Sequence, residues 1–300
     1  MRIDIGIALA VTALAAAPAF AQSKPASDDA DPREIVVQGE RISERQVERF
    51  VDALTEAPVG GQIAQFENAV CPKAVGLGPV QNAAVEARLR AVAGAAGMDV
   101  ARSGCSPNVV VVAVSGKQQF ITALRKNHPV MFRGMSNRKA RTLAGADGPA
   151  AAWQVVGLVD PDGNPLNRGD PPNDYYTVAT NGLQSRLTST VRPHFAASFL
   201  VVELGAIAGL STMQFADYAA MRTFVRTDPA RAAKPAASTI LTLLDDAAAD
   251  RPLPRSLTQW DFSFLKSLYA TSNAAYAHLQ RGTIAHFLKK DLARAPAAKE

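Results

Sequence analysis

Apolar residues recur along this chain at helical spacing in some stretches and as continuous β-branched runs in others, and the alternation predicts its elements. Val47, Phe50, Val51 and Leu54 share one helical face within residues 43–54, and Ser43 stands three residues before Gln46, the spacing of a capping box. Residues 61–75 predict extended chain. Residues 79–96 predict a helix, with Pro79 at its start and Gly97 near its end. The run from Asn108 to Val114 is apolar on both alternations, as a central strand buried on two faces would be. A helix over 116–126 and a strand over 151–159 follow. Strand, helix, strand, helix over residues 61–127 describes an α/β-type half.

The stretch with most of the core signal is 195–226. An apolar run over 196–204 leads into a small-residue bend containing Gly205 and Gly209. Ser211 or Thr212 then caps a helix with Phe215, Tyr218, Ala219, Met221 and Phe224 on or near one face. Before it, the proline- and glycine-rich residues 160–174 form a loop, and extended character at 175–179 makes a long hairpin. A short strand is expected at 187–191. After the central stretch, Asp228-Pro229 closes its helix, 238–247 is a short helix, 251–255 is a loop, and two helices occupy 257–270 and 274–292. Residues 293–300 read as a frayed, disordered tail. The reading is an α+β protein: one mixed β-sheet packed with several helices in a single globular domain over 34–292.

Composition supports a folded core: 48% of residues are apolar and 20% charged, with aromatics at only 6%, so alanine-rich helices should pack closely. The first residues stand apart. An apolar run from Ile5 to Ala17 ends at Ala19-Phe20-Ala21, the pattern of a secretory signal peptide cleaved after Ala21, although Asp4 makes the leading segment less positive than usual. That run is too short for a hydrocarbon layer of about 30 Å. Residues 22–33 read as a flexible linker. The expected location is periplasmic or secreted, and in an oxidising compartment Cys71 and Cys105 pair as one disulfide.

Charge changes the picture at one place. The chain carries a formal +5, and from Arg102 to Arg141 it has eight basic residues and no acidic one. Arg125, Lys126, Arg133, Arg138, Lys139 and Arg141 could meet an anionic surface or an envelope protein. The plainer reading is a solvated face offset by Asp160, Asp162, Asp170 and Asp174. Nucleic acid is not an expected partner, because stacking aromatics are not interleaved with the cations.

Candidate chemistry is sparse. His128, His194, His278 and His286 form no H-E-x-x-H and read as surface or interface residues, so neither a metal nor another cofactor is expected. No nucleophile elbow or phosphate loop occurs; Ser136 and Ser263 each start an S-x-x-K without its companion motifs. Asp160, Asp162 and Asn164 imitate a calcium loop, but Pro165 and Pro171 occupy its glycine and glutamate positions. No catalytic residue is assigned. A candidate cleft remains at Glu203, Gln214, Asp217 and Tyr218, around which an unrecognised carboxylate-based hydrolase site could be built.

Three short resemblances complete the reading. Glu34-Ile35-Val36-Val37-Gln38-Gly39 resembles the "EIVVTG" segment near the mature start of TonB-dependent outer-membrane receptors, which implies an outer-membrane accessory that pairs by adding a strand. The stretch from Leu257 to Tyr269 resembles the C-terminal helix of secreted zincin metalloproteases. In that register Gln214 and Tyr218 replace the two zinc-binding histidines and Phe215 replaces the general-base glutamate. The resemblance implies a degenerate zincin-like fold without its metal. Gln214-Phe215-Ala216-Asp217-Tyr218-Ala219-Ala220-Met221 resembles the "QLADY-x-AM" helix of exported Gram-negative proteins with no assigned activity. Together they imply a non-catalytic binding or structural protein of the envelope.

Overall fold

Four strands form one mixed sheet in a computed structural model that describes residues 42–58, 60–166, 189–227, 231 and 235–294. The described residues all fall within one compact unit, Asp31–Glu300. The leader, the linker, the 34–39 segment, the 175–179 strand, Asp170, Asp174, Asp228-Pro229 and most of the tail lie outside them.

Strands β1 (Pro72–Val75), β2 (Val109–Val114), β3 (Ala150–Val159) and β4 (Arg192–Glu203) lie in the order β1-β2-β4-β3. The β1–β2 and β2–β4 pairs are parallel, and β3–β4 is antiparallel. The expected α+β fold with a mixed sheet is thus present. The all-valine character of β2 has its reason in this order, since a strand between two others buries both faces. Gly76, just after β1, has φ +93°, and a Cβ there would collide with the Ala113 carbonyl.

Eight α-helices are found among the described residues: α1 (Glu44–Leu54), α2 (Pro79–Ala95), α3 (Lys117–Asn127), α4 (Asn137–Gly145), α5 (Thr212–Phe224), α6 (Leu243–Ala248), α7 (Gln259–Tyr269) and α8 (Ala277–Arg294). Strand alternation sorts them into two layers. Val109, Val111, Leu200 and Val202 face the larger core, with α1, α2, α5, α7 and α8. Val112, Trp153, Phe199 and Val201 face the smaller one, with Ile121 of α3, Phe132, and Ala140 and Ala144 of α4.

Several expectations need correction. Helix α4 occupies the stretch around Ser136 that reads as a basic loop. Ser136 is its N-cap, accepting from the Lys139 N–H at 3.2 Å. Its sequence signal is weak because its fully buried residues are two alanines, four apart, with Leu143 only partly buried beside them. Strand β4 begins at Arg192 and not at 196. Pro193 is admitted there because β4 meets β2 only from Ser198 onward. Ser189–Val191 is not strand, and Leu187 lies outside the described residues. His194, read as a surface residue, is only 6% exposed and bridges to Gln65. Its imidazole is held below its ordinary pKa by burial, with Glu67 opposing.

The loops are tied down by buried polar side chains. Cys71 and Cys105 form the expected disulfide, joining the approach to β1 with the loop before β2. Asp261 completes a capping box with Thr258 at the start of α7. It also accepts from the Thr239 hydroxyl and the Ile240 N–H, at 2.5 and 2.8 Å. Burial nevertheless outweighs these bonds and pushes the Asp261 carboxyl up to about 6, from an ordinary 3.8. A raised carboxyl contributes stability fully present below pH 3.8 and lost as pH rises through about 6, on the order of 3 kcal/mol. The cost of Asp261→Asn in urea unfolding should therefore be larger near pH 4.5 than at pH 7. A cost that instead grows toward pH 7 contradicts the assignment.

Candidate functional site

The basic stretch folds into a helical hairpin. Helix α3 runs to a 3₁₀ turn at Pro129–Phe132, and α4 returns beside it on the smaller core. Two side chains fix it to the sheet. Trp153 of β3 stacks between Phe132 and Phe199, with ring centroids 4.9 and 5.0 Å away, and its indole N–H donates to the Met131 carbonyl at 2.9 Å. Lys117, at the start of α3, is buried and donates from Nζ to the Ala146 and Gly148 carbonyls, both at 2.6 Å, which closes the end of α4 onto α3.

The other cations face outward. Lys126, Arg133, Arg138, Lys139 and Arg141 are exposed and Arg125 is half-buried. Lys139 approaches Glu56 at 3.8 Å, and Arg125 donates to the Asn137 amide oxygen at 3.2 Å. Among the described residues no carboxylate pairs with Lys126, Arg133, Arg138 or Arg141. Asp160 and Asp162 make no ion pair with these cations among the described residues, and Asp170 and Asp174 lie outside them. The Asp160 carboxylate accepts from the Asp162 and Asn164 N–H groups of its own turn, both at 2.9 Å, and these bonds lower its pKa. At the turn Val130 is 58% exposed, an apolar tip between two basic helices. Beside it a groove of about 340 Å³ is lined by Arg125, Lys126, Pro129, Phe132 and Met135.

The four residues of the candidate cleft are not brought together. The Glu203 carboxylate accepts from the Lys117 N–H at 3.3 Å, which puts it on the α3 side of the sheet. Asp217 lies in the larger core on the other side, fully buried. Its two oxygens accept from Arg88 Nε at 2.6 Å and a terminal Arg88 nitrogen at 3.0 Å, and from the Leu257 N–H at 2.8 Å. Burial raises its pKa, and the Arg88 bonds oppose that rise. Of the two expected caps Ser211 is the one used: it forms a capping box with Gln214, whose amide also donates to the Pro254 carbonyl at 2.8 Å. Tyr218 is 3% exposed, and Phe215 fills the core. Asp217 and Gln214 are thus structural ties of α5, and no solvent-open carboxylate pair forms from this set.

No protein-family model, curated protein or solved structure matches this chain. Its chemistry must therefore be read from its own geometry. Among the described residues no group of three or more His, Cys, Asp and Glu could hold a metal ion, and no helix is long and apolar enough to cross a membrane. Sequence reasoning found the cations of the hairpin. It missed Trp153 and Lys117, the residues that hold the hairpin in place. A tryptophan in an amphipathic strand was the available signal for the first, and nothing local marked the second.

Proposed function

We propose that this chain is an exported, non-catalytic envelope protein that docks through its α3–α4 hairpin on a membrane surface rich in anionic phospholipid. The observation that carries the reading is the hairpin itself: Lys126, Arg133, Arg138 and Arg141, exposed and without an ion pair among the described residues, flank the exposed Val130 tip. An apolar point between basic helices suits a lipid interface, where the side chain enters the headgroup region and each cation contributes about 1 kcal/mol. The engaged state of Gln214, Phe215 and Tyr218, which stand where a zincin would carry its histidines and glutamate, supports a binding role over hydrolysis. The leader-like first 21 residues support export.

The test uses the chain expressed with its leader, recovered from the envelope fraction and starting at Gln22. It should sediment with vesicles of phosphatidylglycerol and phosphatidylethanolamine, and not with phosphatidylcholine alone. Changing Arg133, Arg138 and Arg141 together to glutamate should weaken that binding roughly a hundredfold or more, with the circular dichroism unchanged. Equal sedimentation of wild type and variant, or recovery of the chain from the cytoplasm with its leader intact, removes the proposal.

A further inference from the structure

A cavity of about 240 Å³ lies where the loop after α4 and the first residues of β3 meet α5 and α6. Leu143, Leu241 and Leu244 give it apolar walls, and Asp147, Tyr218, Arg222 and Asp245 give it polar ones. It is on a different part of the molecule from the Val130 tip and plays no part in the docking reading.

Arg222, in the last turn of α5, is half-buried. Its guanidinium carbon lies 5.8 Å from the centroid of the Tyr218 ring, and its Nε is buried without a hydrogen-bond partner. No carboxylate among the described residues pairs with it. A buried donor without an acceptor costs about 1–3 kcal/mol, so an acceptor that reaches the Arg222 Nε is favoured. Asp245 lines the same cavity, is exposed, and makes no ion pair with Arg222. The Tyr218 hydroxyl makes no hydrogen bond among the described residues. Burial chiefly raises its pKa, while Arg222 pulls it down and Asp245 pushes it up, so the phenol senses both charges.

We infer that this cavity binds a small zwitterion, an α-amino acid with an apolar side chain, its carboxylate on Arg222 and Tyr218 and its ammonium on Asp245. A guanidinium takes a carboxylate through two parallel hydrogen bonds, and the phenol supplies a third donor. Arg222 and Asp245 bring one positive and one negative group to the same cavity, as a zwitterion requires. The leucine walls remove its side chain from water. The volume is below the roughly 300–1,000 Å³ of drug-sized pockets, which limits the ligand to about one amino acid.

The test is titration calorimetry on the full mature chain with L-leucine and with two analogues that each lack one charge, 4-methylpentanoate and isopentylamine. Leucine should bind more tightly than either analogue. Arg222→Gln should weaken leucine binding about tenfold or more, as expected for loss of charge-assisted hydrogen bonds. Asp245→Asn, at an exposed position, should leave leucine and 4-methylpentanoate with similar affinities, which a merely structural role for Asp245 would not produce. Absence of leucine binding to the wild type overturns the inference. So does an unchanged preference for leucine in Asp245→Asn, even if Arg222→Gln fails to fold.

Discussion

Replacing Asp217 by alanine is expected to destabilise this protein by about 3–5 kcal/mol, a large part of the roughly 5–15 kcal/mol that holds a typical domain folded. The reason is the charge left behind. Arg88 is 2% exposed and lies on α2, and Asp217 lies on α5 with no exposure at all. The carboxylate meets the guanidinium side-on, through Nε and one terminal nitrogen, and a third hydrogen bond reaches Asp217 from the Leu257 N–H. Removal of Asp217 takes two charge-assisted hydrogen bonds from the Arg88 guanidinium in the larger core and leaves the Leu257 N–H without its carboxylate. Arg88→Met should cost a comparable amount. The double variant Arg88→Met, Asp217→Leu should be less damaged than either single one, because two desolvated charges then disappear together. Urea unfolding of the four proteins measures this directly. Additive losses in the double variant would show that the two residues act independently.

Removing the disulfide should have the next largest effect. Cys71 and Cys105 are 34 residues apart, so the bridge closes a loop worth about 3–4 kcal/mol in the chain-entropy account. That loop contains β1 and α2, which are thereby held near the start of β2 before the sheet forms. Changing both cysteines to alanine should lower the thermal midpoint by roughly 10 °C. Adding reductant to the wild type should reproduce most of that loss. If the variant melts within about 2 °C of the wild type, the bridge is not a major stabiliser. Cys71 and Asn108 make the local response larger. The Asn108 amide oxygen accepts from the Cys71 N–H at 2.7 Å, and its nitrogen donates to the Ala69 carbonyl at 3.1 Å. The strand register near β1 is thus tied on both sides of the sulfur.

These two effects show where sequence reading reached and where it stopped. The pairing of Cys71 with Cys105 was legible, since a chain with two cysteines has one possible bridge. The partnership of Arg88 with Asp217 was not. The two are 129 residues apart, and nothing in the local pattern of either helix points to the other. In the sequence Asp217 is a candidate acid or base because it and Glu203 flank the small-residue bend. Its burial has a structural explanation once Arg88 is placed beside it. Glu203 shows the converse. Strand period alone sends it to the opposite face from Val202, yet only the sheet order shows that α3 covers that face.

The sequence by itself determined the kinds of element and most of their limits. The valine run of β2, the Ser43 cap of α1 and the apolar face of α5 are local, although the Gln46 amide donates to the Ala236 carbonyl and does not complete the expected capping box. It also placed the cations of the hairpin next to one another in the chain. Tertiary structure decided everything that depends on which distant groups meet. It made α4 a helix through two alanines on the sheet, extended β4 back through Pro193 to Arg192, and buried His194. It separated Glu203 from Asp217 by a sheet, and it gathered Tyr218, Arg222 and Asp245 around one cavity. Local patterns report the backbone and the face each residue takes. Charge pairing, desolvation and cavities arise between elements far apart in the chain, and those come into being only when the core has formed.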